Sequence, residues 1–311
     1  MVQAKYSLVI PVFQSKKTLD ELCTRLISVF DDKINESFEI ILVDDGSPDN
    51  TWKTMRELHK KDPRIKTIRL TRNFGQHNAL MCGLKHSSGE FIITMDDDLQ
   101  HPPEEIPKLI NCIVENPDMD AVIGKYNSKK HSWWRNLGTN IMRRMMASIF
   151  NFDKNYKGSS FRLIKASIVR EIISTTTYKP RIGQLIFLTT NNVGNVTVRH
   201  EPRAHGNSGY SLLRLAKDFI NNIISNSVIL LKITSIMGFS SAALSIVLAM
   251  YYLIKYFTVG IAVTGFTTIV LISLFYFGVM LFSIGVVGEY LIKILFETKG
   301  YPQFVIKQKE F

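Results

Sequence analysis

The chain has 311 residues, 46% of them hydrophobic, with a mean hydropathy of +0.06. This excludes a disordered polymer and sits high for a wholly soluble protein. Cys23, Cys82 and Cys112 are too few for a disulfide framework and match no zinc spacing, so they read as buried thiols in a reducing compartment. The 38 basic and 27 acidic residues leave a charge of +11, which points to a polyanionic partner: nucleic acid, anionic lipid or a phosphorylated substrate.

From the N-terminus, strand and helix patterns alternate. Tyr6–Val12 reads as a strand and Thr18–Phe30 as an amphipathic helix. Glu39–Val43 is a second strand, running into Asp44-Asp45-Gly46-Ser47. Ser47 before Pro48 is a helix start, with a capping hydroxyl followed by proline at the first helical position. Ile65–Leu70 is a third strand, His77–Lys85 a helix, and Phe91–Met95 a fourth strand that leads into Asp96-Asp97-Asp98. Pro103–Glu115 is helical and Ala121–Gly124 a fifth strand. This rhythm predicts a parallel α/β sheet with helices on both faces. Beyond Tyr126 the pattern weakens.

Near the C-terminus, two long apolar runs, Ile233–Ile254 and Tyr256–Gly288, are each long enough to cross a bilayer. Between Val228 and Ile292 only Lys232, Lys255 and Glu289 carry charge among the Lys, Arg, Asp and Glu types. Basic residues flank the pair on both sides, and the loop between is short and nearly uncharged, so both termini are expected in the cytoplasm. Met1–Lys5 leads directly into a strand, which does not read as a signal peptide. The expected organisation is a cytoplasmic α/β domain over 1–210 and a juxtamembrane helix over 211–227. Two transmembrane helices follow within 228–292 (about 230–254 and 266–290), then a cytoplasmic tail over 293–311. The 211–227 segment has apolar residues at helical spacing with Arg214 and Lys217 between them, a pattern suited to the headgroup plane or to packing on the soluble domain.

In open α/β sheets, ligands bind beyond the carboxyl ends of the strands. Two acidic clusters are predicted there, Asp44-Asp45 and Asp96-Asp97-Asp98. Asp96, Asp98 and Gln100 offer hard oxygen ligands suited to Mg²⁺ or Mn²⁺, and such ions commonly complete their shells with substrate phosphate oxygens. A nucleotide diphosphate is the ligand this suggests. Nucleic-acid binding is not supported, because no basic helix carries base-reading or stacking residues; basic side chains near an anionic leaflet account for the charge.

Val9-Ile10-Pro11-Val12-Phe13, Ile41-Leu42-Val43-Asp44-Asp45-Gly46-Ser47 and Asp96-Asp97-Asp98-Leu99-Gln100-His101-Pro102-Pro103 together resemble the family 2 glycosyltransferases of GT-A fold. Arg72-Asn73-Phe74-Gly75 and Phe161-Arg162-Leu163 are similar to the branch of dolichyl-phosphate mannose synthases and bacterial polyprenyl-phosphate glycosyltransferases. Gly288-Glu289-Tyr290, Glu297-Thr298-Lys299 and Tyr301-Pro302 resemble the bactoprenol glucosyltransferases within it.

The resemblance implies an inverting enzyme that moves a sugar from a nucleotide-diphosphate donor to polyprenyl phosphate, at the cytoplasmic face of the inner (plasma) membrane. It implies that Pro11, Asp44 and Asp45 contact the base and ribose, and that Asp96 and Asp97 border the ribose and diphosphate. Asp98 and Gln100, with Asp96, would hold the metal. Lys125, at a position usually Arg in the synthases, falls on the donor side. Arg135 and Thr139 would hold the acceptor phosphate, and Arg203 would lie near the diphosphate and acceptor. Asp98, Arg135 and Arg203 are thus the expected catalytic residues.

Departures from the family pattern bear on the donor. Lys157-Gly158-Ser159-Ser160 stands where an acid commonly precedes Phe-Arg, and Ser208-Gly209-Tyr210 replaces Ser-Lys-Tyr. Phe13 and Ser15 replace the Tyr and Glu of guanine-binding synthases, which favours a UDP-sugar over GDP-mannose. The alternatives are a different lipid or glycan acceptor, and a catalytically silent partner of a lipid-linked sugar flippase. The family includes single chains and tetramers, so a homo-oligomer is left open.

Overall fold

A computed structural model describes residues 4–126, 159–175, 177, 180–201, 229–259 and 265–311. Two strands, β1 (Tyr6–Val12) and β2 (Phe38–Asp44), are buried at every position, as expected of strands covered by helices on both faces. They pair in parallel from Tyr6–Phe38 to Val12–Asp44. On one side β2 pairs in parallel with β3 (Ile65–Leu70); on the other β1 pairs in parallel with β4 (Phe91–Thr94). The β1–β4 register ends at Val9–Thr94, so Pro11 stands past the last rung on that side and costs the ladder no hydrogen bond.

The outer strands are β5 (Ala121–Tyr126), β6 (Arg162–Lys165), β7 (Val193–Val198) and β8 (Ile306–Glu310). The sheet runs β7-β5-β6-β4-β1-β2-β3-β8, with β6 antiparallel to both neighbours and β8 antiparallel to β3. Alternating side chains feed two cores. Leu8, Ile10, Ile40 and Leu42 pack with α1 (Leu19–Ser28), α2 (Thr51–Lys61) and α4 (Ile106–Glu115). Val9, Ile41 and Val43 pack with α3 (Gln76–Lys85), α5 (Ala166–Ser174) and α6 (Ile182–Thr189).

The sequence places a helix start at Ser47-Pro48, whereas α2 begins at Thr51 with Asn50 as its cap residue. The Ser47 hydroxyl is used elsewhere: it accepts a hydrogen bond from the Gln14 amide at 3.0 Å. Strands β6, β7 and β8 go beyond the sequence reading. β8 falls within the segment assigned to a tail, and its pairing onto β3 makes Gly300–Phe311 part of the same compact unit as Met1–Asn207.

Ser208–Lys299 form a second unit. In it, α7 (Ile229–Val259) and α8 (Phe266–Thr298) are long helices, and the Tyr276 hydroxyl of α8 donates to the Ser241 carbonyl of α7 at 3.2 Å. Among the described residues one segment, Phe275–Thr298, is long and apolar enough to cross a membrane. The predicted juxtamembrane helix over 211–227 lies outside the described residues.

Candidate active site

Parallel strands β1, β2, β3 and β4 deliver their following loops to one edge of the sheet, and antiparallel β6 begins at that edge. Asp44, the last residue of β2, is fully buried. It accepts the Ser47 amide at 2.9 Å and pairs with Arg69 Nε at 3.2 Å. Burial pushes its carboxyl above the ordinary range against the pull of Ser47 and Arg69. Asp45 is also buried, and its two oxygens accept the Phe74 amide at 2.7 Å and the Gly75 amide at 2.9 Å. Burial raises its pKa as well, with those two amides opposing. Both oxygens of Asp45 are thus engaged by the 74–75 amides, whereas Asp44 Oδ2 is buried with only the Arg69 ion pair against it and accepts no hydrogen bond among the described residues.

Gly46 has φ +69°, and a Cβ there would lie 2.5 Å from the Arg72 carbonyl carbon. Only glycine lets the 72–75 loop lie directly on this turn.

The acidic turn after β4 is tied to its neighbours one carboxylate at a time. Asp96 accepts Gln76 Nε2 at 2.5 Å on one oxygen and Ser160 Oγ at 2.6 Å on the other. Asp97 accepts the Phe13 amide at 3.1 Å and Ser15 Oγ at 2.5 Å, which fixes the loop after β1. Burial, with Asp96 and Asp98 adding to it, pushes the Asp97 carboxyl up to about 6. Asp98 accepts the Gln100 amide at 3.1 Å. It also lines a cavity of about 220 Å³ with Asp49 and the 14–18 loop, which carries Lys16 and Lys17. Leu99 takes φ +61°, a left-handed conformation that costs a branched residue roughly 1–3 kcal/mol. Such strain often accompanies a functional turn.

Below the turn, buried His101 hydrogen-bonds the Tyr126 hydroxyl through Nε2 and stacks on Phe161 with centroids 5.4 Å apart. Tyr126 also meets Ser159 Oγ at 2.9 Å, and burial pushes its phenol up to about 12. The Glu201 amide donates to the Gln100 carbonyl at 3.0 Å, while Arg199 pairs with buried Glu105 at 2.8 Å.

Pro11, Asp44, Asp45, Asp96, Asp97, Asp98 and Gln100 therefore stand on strand ends or loops at one edge of the sheet. Lys125 sits on β5 opposite Thr197, on the sheet face opposite Tyr126. Arg135, Thr139 and Arg203 lie outside the described residues. Sequence reasoning assigned no role to Gln76, His101 or Tyr126, and read Ser15 only as a departure bearing on the donor base. Ser160 did carry a signal, because it departs from the acid of the family pattern.

A family model described as Glycosyl transferase family 2 matches residues 7–173. The chain belongs to glycosyl transferase family 2. An undecaprenyl-phosphate 4-deoxy-4-formamido-L-arabinose transferase of Edwardsiella ictaluri is 28% identical to this transferase over 97% of its chain and 93% of the relative. The protein of that name from Pseudomonas savastanoi pv. phaseolicola is 32% identical over 97% and 90%. The α/β domain is GT-A-like. Crystal structures of glucosyl-3-phosphoglycerate synthase from Mycobacterium tuberculosis share the fold. The phosphoglyceric acid complex gives a TM-score of 0.53 at 18% identity, covering 72% of this chain and 80% of that one. The complex with Mn²⁺ and UDP-glucose gives 0.52 at 16% identity, covering 71% and 77%.

Proposed function

We propose that this transferase moves a sugar from a UDP-sugar to undecaprenyl phosphate at the cytoplasmic face of the membrane, inverting the anomeric carbon. The observation that carries this reading is the convergence of the loops after β1, β2, β3 and β4 on the Asp96–Gln100 turn, in a chain that matches undecaprenyl-phosphate sugar transferases over 97% of its length. Among the described residues no three His, Cys, Asp or Glu side chains gather into a closed metal site. Asp96 and Asp98, with Gln100, would instead offer an open set of hard oxygen donors. That set suits Mg²⁺ or Mn²⁺ shared with substrate phosphates. Bound there, the cation supplies charge neutralisation for the departing diphosphate.

The chain's own residues would do the rest by binding and orientation. Asp44 and Asp45 set the walls of the donor cleft beside Pro11, Asp97 holds the 13–15 loop across it, and Lys125 contributes positive charge on the donor side. Arg135, Thr139 and Arg203 would grip the acceptor phosphate, and the Glu201–Gln100 bond two residues before Arg203 supports its place near the diphosphate. A phosphate monoester has a second pKa of about 6, so at pH 7 the acceptor is largely a dianion and needs no residue to remove a proton.

Membrane anchorage by an α7–α8 hairpin completes the proposal. Its support is connectivity: β1–β7 precede these helices and β8 follows them in the same sheet. One folded unit cannot occupy both sides of a bilayer, so the chain between must cross an even number of times. With the 211–227 segment in the headgroup plane, this makes a multi-pass inner-membrane protein with both termini in the cytoplasm.

The test is a transfer assay in detergent with undecaprenyl phosphate and UDP-, GDP- and dTDP-sugars. The expected outcome is divalent-dependent transfer from a UDP-sugar, lowered by orders of magnitude in Asp98→Ala with an unchanged melting temperature. Full activity in EDTA would refute the metal-dependent site. UDP–Mn²⁺ binding without transfer to any lipid phosphate would favour the silent flippase partner.

A further inference from the structure

Asp96 is held by two neutral side chains, one on each oxygen. Asp44 has an arginine against it, and Asp45 and Asp98 accept backbone amides. Asp97 accepts an amide and a serine hydroxyl from the 13–15 loop. Asp96 accepts two neutral side-chain donors, one per oxygen: Gln76 Nε2 at 2.5 Å and Ser160 Oγ at 2.6 Å. No ion pair to it is present among the described residues.

Each donor is itself held by backbone contacts. Gln76 opens α3 directly after Gly75, whose amide is fixed by Asp45 at 2.9 Å. The Ser160 carbonyl accepts Thr94 Oγ1 at 2.7 Å, and Phe161, next in the chain, donates its amide to Ser159 Oγ at 2.9 Å.

We propose that Gln76 and Ser160 are positioning residues that fix the Asp96 carboxylate for the metal–nucleotide complex. The proposal rests on the donor site described above. Its physical basis is the difference between neutral and charged partners. A lysine or arginine at either position would orient Asp96 but cancel the charge that a divalent ion needs. An amide and a hydroxyl fix the same rotamer and leave the carboxylate anionic, with one further lone-pair direction open on each oxygen. An acid at position 160, as the family pattern commonly has, would set a second carboxylate against Asp96 and raise the cost of keeping both ionised. Ser160 thus gives this chain one fewer charge beside the turn, and Gln76 supplies the opposing bond.

The test is UDP binding by the full-length protein in detergent, measured by calorimetry with and without Mn²⁺. Ser160→Ala and Gln76→Ala should each weaken Mn²⁺-supported UDP binding about three- to tenfold, as expected for loss of a hydrogen bond to a charged group. They should leave metal-free UDP affinity unchanged. Ser160→Thr, which keeps the hydroxyl, should return to within about twofold of the unmodified protein. In an Asp96→Asn background, neither alanine substitution should cost more than about twofold further, because both act through that carboxylate. Gln76 is exposed, so Gln76→Ala keeps the test open should Ser160→Ala fail to fold.

Unchanged Mn²⁺-supported binding in both variants would overturn the assignment. So would equal weakening with and without Mn²⁺, or full additivity with Asp96→Asn. If the unmodified protein binds no UDP with Mn²⁺, the donor reading itself falls and this inference with it.

Discussion

Gly46→Ala tests whether the turn after β2 and the 72–75 loop are one mechanical unit. The backbone at Gly46 has φ +69°, where an L-residue costs roughly 1–2 kcal/mol. A Cβ would also meet Arg72 C at 2.5 Å, Arg72 Cα at 2.8 Å and Asn73 N at 2.8 Å. These are backbone atoms, so no rotamer change relieves the clash and the loop must move. Moving it lengthens the bonds from Phe74 and Gly75 to Asp45, at 2.7 and 2.9 Å, and shifts the base of Gln76. Hydrogen bonds to a charged group are worth about 1.5–3 kcal/mol, so losing one of the two with the φ penalty gives about 2.5–5 kcal/mol. For a domain of this size that is a fall in melting temperature of roughly 5–20 °C.

Thermal unfolding in detergent reads the stability, and UDP–Mn²⁺ calorimetry reads the donor site; both should suffer. Asp45→Asn should lose part of the same stability, and combining the two should cost less than their sum, because each releases the same loop. Unchanged melting and affinity in Gly46→Ala would refute the rigid loop–turn contact. Strict additivity would refute the coupling.

Burial, with Arg162 and Arg181 nearby, pushes the His77 imidazole down to about 4. The unfolded chain takes up that proton near pH 6.5 and the native state does not, so this stability is complete above pH 6.5 and falls away towards pH 4. Between pH 7.5 and 5 the loss is about 2 kcal/mol, and His77→Leu should show a smaller acid-induced drop in melting temperature; parallel pH curves for the two proteins would contradict it. Removing residues 304–311 should lower the melting temperature and promote aggregation. It strips Phe304 and Ile306 from the second core, breaks the Arg56–Glu310 pair and bares the β3 edge. An unchanged melting temperature would show that β8 is not integral to the sheet.

Much of the central sheet was legible in the sequence because its information is local. β1 and β2 are mostly apolar runs, interrupted only by Ser7 and Glu39, and Asp44 closes β2 while Asp96 stands two residues beyond β4. The apolar stretches that became α7 and α8 were equally plain, since length and lack of charge mark them without any partner.

The tertiary structure decided what depends on distant pairing. β8, Ile-Lys-Gln-Lys-Glu, has no hydrophobic pattern of its own and is a strand because the β3 edge supplies its ladder. Ser47 matched a helix cap by type, but the Gln14 amide, 33 residues away, claimed its hydroxyl. Ser160 was visible only as a departure from a pattern. Its bond to Asp96 spans 64 residues and exists because antiparallel β6 enters the sheet where β4 ends. Hydrophobic periodicity fixes which residues are buried, because burial repeats with the local geometry of each element. Which polar side chain meets which carboxylate follows from strand order, and no local pattern encodes that order.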